Sequence, residues 1–245
     1  VMVRRRAKRR DAFKSFFNNY LVKSKKSYTP QNIGELKSDY DLFISGSDQV
    51  WSPRCVGFDP AYFLTFADDR QKYSYAASFA VPTLPDEFID EYKKRLNGFQ
   101  KFSVREPSGE KLVKELTGRT AETHLDPTLL ISADEWKKIA VSKIDKPYIL
   151  IFTANPAVSL VDFALKLSKE KNLPIYCIND APHPVSHGIN YIVAPTVEEF
   201  VGCFKNAEYV VTNSFHGTAF SVIFNKNLFV AVSYTHLRAH ETRSN

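Results

Sequence analysis

The chain has 245 residues, enough for one large or two modest domains, and 44% hydrophobic with 13% aromatic residues lets it bury a real core, which excludes wholesale disorder. No apolar run approaches the roughly 18 residues needed to cross a bilayer, and no signal-type apolar segment follows the basic start, so the sequence reads as cytoplasmic. The net charge of +6 is concentrated: residues 1–28 carry ten Lys/Arg against Asp11 alone, a local +9 that leaves the remainder at −3.

In that basic arm Phe13, Phe16, Phe17, Tyr20 and Leu21 recur at i, i+3, i+4, i+7 and i+8. This spacing predicts an amphipathic helix that packs its aromatic side onto a domain, with contact to a polyanion or a membrane surface as the alternative use of its charge. A nucleic-acid binder would instead spread its excess along a folded face among base-reading groups, so no nucleic-acid partner is expected.

Residues 30–38 read as a connector and Tyr40–Ser45 as a buried strand, which stops at Gly46-Ser47-Asp48-Gln49-Val50-Trp51. A glycine and small polar residues directly after a strand form a carboxyl-end loop in which Asp48 serves as acceptor or base, or simply as a turn residue. Lys72–Phe79 is the next strand, and Asp86–Phe99 a surface helix with Phe88, Tyr92, Leu96 and Phe99 on one stripe. Phe102–Arg105 is short and β-like, and the following helix runs to Thr117 and stops at Gly118. Arg105 thus lies beside a helix start, where its fork of donors suits a phosphate or carboxylate; the alternative is a salt bridge to Glu106 or Asp48. His124 reads as a structural histidine, Asp126-Pro127 as a turn, and Ser132–Glu135 as a capping box.

From Lys146 the pattern becomes strand and helix in alternation: strand 148–153, helix 158–171, strands 175–178 and 191–193, a helix capped by Thr196, strand 208–212, helix 215–225 and strand 228–232. Such βαβ rhythm implies a parallel, doubly wound sheet, with a domain boundary near residues 131–146. Within it Tyr209–Phe220 reads as strand, tight turn and helix, and the first amides of that helix make a place to hold an anion beside His216, whose side chain can hold or donate a proton near neutral pH. A plain helix cap at Asn213 or Ser214 is the other reading. Cys55, Cys177 and Cys203 show neither disulfide nor metal spacing and are expected to be reduced and buried. Residues 233–245 break the rhythm and look like a non-native tail.

Three of these segments together resemble the polysaccharide pyruvyl transferases: Tyr40–Trp51, then Phe102–Ser108 with Asp126-Pro127-Thr128-Leu129-Leu130, then Thr212-Asn213-Ser214-Phe215-His216-Gly217-Thr218. The resemblance covers residues 10–231. It implies an α/β chain of two Rossmann-like doubly wound halves facing a cleft, similar to GT-B glycosyltransferases, and an enzyme that transfers pyruvate from phosphoenolpyruvate to saccharide hydroxyls as a ketal. The expected halves are residues 1–135, carrying the basic helix, and 146–232. Both are expected to be incomplete, since the family's first strand and glycine-rich turn are absent before Val1 and its carboxyl sheet continues past Val232; the piece is then inactive even where its parent is an enzyme.

On this reading His216 is the acid that protonates the enol carbon and Asp48 orients or deprotonates the sugar hydroxyl. Arg105, Ser108, Ser214, Gly217, Thr218, Ser47 and Gln49 are the expected substrate-binding residues. Well-studied members carry arginine and leucine before the motif histidine, where this chain has Ser214 and Phe215, so more of the donor's charge falls to His216 and the helix amides. The implied partners are phosphoenolpyruvate and a saccharide acceptor, free or lipid-linked. No cofactor and no protein-held metal is expected, since no His, Cys and carboxylate cluster has ligand spacing, although a divalent ion held by phosphate stays open. No G-x-G-x-x-G follows a strand, which disfavours a nicotinamide enzyme. A glycosyltransferase using a sugar nucleotide and a non-enzymatic polyanion or membrane-surface binder are the alternatives.

Overall fold

A computed structural model describes residues 2–24, 26–54, 58–153, 158–178 and 188–231. Cys55, Val232 and the 233–245 tail lie outside them. The chain divides into two compact units, Ser24–Leu130 and a second made of Val1–Lys23 with Ile131–Asn245.

Helix α1 (Met2–Tyr20) therefore belongs with the carboxyl-terminal residues, where it lies against a later helix, rather than with the amino-terminal half. Its aromatic stripe is not packed as the periodicity predicts. Ala12 is buried, whereas Phe13, Phe17, Tyr20 and Leu21 are 43–47% exposed. Period alone selects the apolar face of a helix; burying it needs a second apolar face of matching size. The neighbouring helix opens on the acidic pair Glu198 and Glu199 and turns its own apolar side to its sheet.

In the unit Ser24–Leu130, β1 (Phe43–Ser45) pairs in parallel with β2 (Lys72–Ser74), and β3 (Phe102–Val104) with β4 (Ala121–Thr123). Backbone bonds join the two pairs, from Gln100 N to Lys72 O (2.7 Å), Ser74 N to Lys101 O (3.3 Å) and Ala77 N to Ser103 O (3.2 Å). All four strands consequently end on the same edge. The strands are shorter than the sequence suggests because the chain bends out at Ala76 and Ala80, both in the left-handed region at φ 45° and 57°. Helices α2 (Ile89–Leu96) and α3 (Pro107–Thr117) cover the strands, and α3 ends at Gly118 with φ 72°.

The core of this unit is built around Trp51, fully buried among Phe63, Phe79, Phe99 and Phe102 at ring-centroid distances of 5.3–6.3 Å. Its Nε1 donates to Tyr62 O at 3.1 Å, and Tyr92 Oη donates to the Trp51 carbonyl at 2.6 Å. The loop after β1 is thus nailed into the core at its far end.

In the other unit, α4 (Ala133–Ile139) is capped by Ser132, whose Oγ accepts from Glu135 N. Then follow β5 (Ile149–Phe152), α5 (Val158–Lys171), β6 (Ile175–Ile178), β7 (Ile189–Ile192), α6 (Val197–Asn206), β8 (Tyr209–Thr212), α7 (Phe215–Ile223) and β9 (Asn227–Val230). At α6 both halves of the expected capping box form: Glu199 N donates to Thr196 Oγ1 and Thr196 N to a Glu199 carboxylate oxygen, each at 3.1 Å.

The five strands are all parallel, in the order β7-β6-β5-β8-β9. The chain starts in the middle of the sheet, winds outward to β7, then crosses back to β8, so strand order reverses between β5 and β8. Alternation along β5 explains the continuous apolar run: Ile149 and Ile151 pack against α5 through Leu160, Ala164 and Leu167, while Leu150 faces α6 and α7 through Val201, Phe204 and Phe220. Cys177 and Cys203 are free and buried, and burial pushes their thiols up to about 11 and about 12, which leaves them protonated and inert.

Candidate functional site

The loop after β8 sits at the reversal point of the sheet, where neighbouring crossovers leave in opposite directions, the place at which open α/β sheets generally bind ligands. Three hydrogen bonds of Thr212 and Ser214 shape it. Thr212 Oγ1 donates to Phe152 O at 2.6 Å, tying the ends of β8 and β5 together, and accepts from Ser214 N at 3.0 Å. Ser214, in extended conformation (φ −98°, ψ 138°), is the N-cap of α7, and its Oγ accepts from Gly217 N at 3.4 Å.

Gly217 is needed for closeness rather than for its φ. A Cβ there would lie 2.2 Å from Thr212 Oγ1 and 3.1 Å from Phe152 Cδ1, so only glycine lets the first turn of α7 settle on the strand ends. Thr218 turns its hydroxyl back to Ser214 O (3.1 Å) and is spent inside the helix. His216 is half-buried in the first turn, with its ring edge-on to that of the exposed Phe215 at 5.3 Å. The positive end of the α7 dipole and the His216 imidazole therefore share one turn, an arrangement that suits an anion.

The unit Ser24–Leu130 brings together a second group at the shared edge of its strands. Gly46 (φ 117°) lies so close to β2 that a Cβ would come 2.2 Å from Tyr75 O. Asp48 follows in the left-handed region (φ 67°), with its amide-to-amide path fixed by Ser78 N donating to Asp48 O at 2.9 Å. The Asp48 side chain is 60% exposed, whereas Arg105, which donates from Nη1 to Asp48 Oδ1 at 3.1 Å, is 7% exposed. The same Nη1 donates to Asp126 Oδ2 at 3.2 Å, and Nε lies 3.8 Å from Glu106 Oε2. Both salt bridges considered from the sequence are present, and a third carboxylate joins them. Arg105 is accordingly a balanced charge: Asp48 and Asp126 contact it directly, and Glu106, which accepts from Ser78 Oγ at 2.7 Å, stands at the start of α3.

Ser47 Oγ shares its one proton within this group between Ala76 O (2.7 Å) and Asp126 Oδ2 (3.1 Å). Gln49 is half-buried in the same loop, and Ser108 is half-buried in the first turn of α3. His124 sets Nδ1 3.0 Å from Ser103 Oγ and Nε2 3.8 Å from Glu122 Oε2, as a structural histidine would.

Asp126, which the sequence marks only as a turn residue and as part of the middle family-like segment, is a partner of both Arg105 and Ser47. It is 3% exposed and its Oδ1 accepts from both Thr128 N (3.0 Å) and Thr128 Oγ1 (2.8 Å). Burial pushes its carboxyl up, but the Thr128 amide and hydroxyl, Arg105 and Ser47 outweigh this and hold it below the ordinary carboxylate range. A depressed value stabilises the fold above the unfolded pKa near ~3.9, and that contribution is lost as pH falls through the lower folded value. The signal was the Asp-Pro-Thr spacing, an aspartate two residues before a threonine that can return two donors to it.

A hollow of ≈ 470 Å³ lies at the opposite, amino edge of the five-stranded sheet, lined by Lys146, Asn206, Glu208 and Lys226 among others. The carboxyl ends of α6 and α7 point that way, so their dipoles disfavour an anion there. Among the described residues no group of His, Cys, Asp and Glu is placed to hold a metal ion, and no helix is long and apolar enough to cross a membrane. Neither a curated protein nor a solved structure matches the chain. The family model described as polysaccharide pyruvyl transferase matches residues 2–236, nearly the whole chain, and the chain belongs to that family of transferases.

Proposed function

We propose that the chain transfers pyruvate from phosphoenolpyruvate to two hydroxyls of a saccharide in polysaccharide synthesis, forming a ketal. The observation that carries this reading is the first turn of α7: a helix amino end with His216 on it, seated by Gly217 at the reversal point of a five-stranded parallel sheet. Phosphoenolpyruvate carries a carboxylate and a phosphate, which call for amide donors and positive charge, and an enol carbon, which must gain a proton. The GT-B-like pairing of two α/β halves belongs to this proposal.

His216 gives a proton to the methylene carbon of phosphoenolpyruvate while a sugar hydroxyl attacks the neighbouring carbon, and Asp48 receives that hydroxyl's proton. A second hydroxyl then displaces phosphate at the same carbon, its proton leaving with the phosphate, so that a methyl-bearing ketal and inorganic phosphate result. Arg105 adds little net charge for the donor, because Asp48 and Asp126 already balance it at 3.1 and 3.2 Å. The donor's anionic groups therefore fall to α7 and His216, where Ser214 stands in place of the arginine found in well-studied relatives.

Calorimetric titration with phosphoenolpyruvate tests the assignment. His216→Ala is expected to weaken binding by about 10-fold or more, the worth of one hydrogen bond to a charged group. An unchanged affinity in that variant would remove His216 from the donor site.

A further inference from the structure

We propose that Asp126 is a positioning residue for the transfer: through Arg105 and Ser47 its buried carboxylate holds the loop that carries Asp48. The inference rests on the reading of Asp48 as the group that receives the hydroxyl proton, and adds how that carboxylate is kept in place.

Both oxygens of Asp126 are engaged. Oδ1 takes the Thr128 amide and hydroxyl, which anchors the carboxylate to the turn that starts at Pro127. Oδ2 takes Ser47 Oγ at 3.1 Å and Arg105 Nη1 at 3.2 Å. Ser47 immediately precedes Asp48, and Arg105 Nη1 is the donor that reaches Asp48 Oδ1 at 3.1 Å. The buried carboxylate thus grips the Asp48 loop twice, once through the backbone neighbour of Asp48 and once through its side chain.

The loop needs such a grip. Asp48 holds a left-handed φ of 67°, and its side chain is 60% exposed, so water competes for it. The far end of the loop is fixed by buried Trp51, and the near end by Gly46 pressed against Tyr75 O. Between those two points the Asp126 contacts hold the side chains of Ser47 and Asp48. Electrostatics points the same way. Arg105 sits within 3.8 Å of three carboxylates, and losing the charge at Asp126 would remove one of the three contacts that set its guanidinium, and with it the position of the Asp48 carboxylate that the same Nη1 holds. An amide at position 126 offers one acceptor oxygen to donors that now share two, and turns an NH2 toward the rest.

The test is a double-mutant cycle on the full chain, with labelled phosphoenolpyruvate as donor. Asp126→Asn is expected to lower kcat by about 10–100-fold, as displacement of a catalytic group by around an ångström does, with KM for phosphoenolpyruvate changed by no more than about 3-fold. In an Asp48→Asn background the same substitution is expected to cost nothing further, because it acts through Asp48. Ser47→Ala removes one of the two grips without unseating the carboxylate, and is expected to lower kcat by a smaller factor in a chain that stays folded. Hydrogen exchange supplies the readout independent of activity: amides of residues 46–50 are expected to exchange about 10-fold faster in both variants, with the strands of the other unit unchanged. Additive losses in the cycle, or unchanged exchange in residues 46–50, would overturn the inference. Wild-type chain that transfers no pyruvate while the exchange result holds would instead count against the proposed reaction and leave the loop grip standing.

Discussion

Gly217→Ala is expected to lower the stability of the unit that contains α7 by about 3 kcal/mol, an overpacking cost with broken hydrogen bonds added to it. The added methyl would lie 2.2 Å from Thr212 Oγ1 and 3.0 Å from Thr212 Cβ. Neither can step aside cheaply, since Oγ1 is bonded on one side to Phe152 O and on the other to Ser214 N. Either α7 lifts from the sheet or the tie between β5 and β8 breaks, and both displace His216. The chain has two tryptophans, one in each unit, and Trp136 packs edge-on against Phe220 of α7 at 5.0 Å. Denaturant unfolding followed by Trp136 fluorescence in a Trp51→Phe background reads this unit separately. A midpoint equal to that of the parent would mean that α7 does not approach the strand ends as described.

Trp51→Ala is expected to cost the Ser24–Leu130 unit about 3–5 kcal/mol, the range for emptying an aromatic site in a core. The ring is wholly buried, touches four other aromatic rings and gives its Nε1 proton to Tyr62 O. Trp51→Phe keeps much of the volume and loses the hydrogen bond, and is expected to cost about 1–2 kcal/mol. Thermal unfolding of the two variants by circular dichroism compares them. Equal losses would show that the hydrogen bond, not the packing, holds the loop. The alanine variant should also loosen residues 46–50, because Trp51 is their far anchor.

The strand, turn and helix around His216 were legible in the sequence because each signal is local: a β-branched run, a capping serine, a glycine and helical spacing lie within Tyr209–Phe220. The strand order of the sheet was not, since it depends on which crossover returns to which edge, and no residue encodes that locally. For the same reason Asp48 and Arg105 could be placed on carboxyl-end loops while their common partner Asp126 could not. Parallel strands bring residues 48, 105 and 126 to one edge only once their register is set. The aromatic stripe of α1 shows the converse failure. Its period is clear, but what covers a helix face is decided by its neighbours, and α6 offers the acidic Glu198 and Glu199 at its amino end. Strand ends were misjudged where left-handed residues such as Ala76 turn the backbone away, a conformation that alanine does not advertise.

The most direct measurement of the proposed reaction is incubation of the chain in deuterium oxide with carbon-labelled phosphoenolpyruvate and an extract of saccharide acceptors. Label is expected in an acid-labile ketal, with one phosphate released per pyruvate incorporated and a single deuterium in the new methyl group, and all three are expected to be lost in His216→Ala. Phosphate release without label in saccharide, or label incorporated as fast by His216→Ala as by the parent chain, would contradict the proposal.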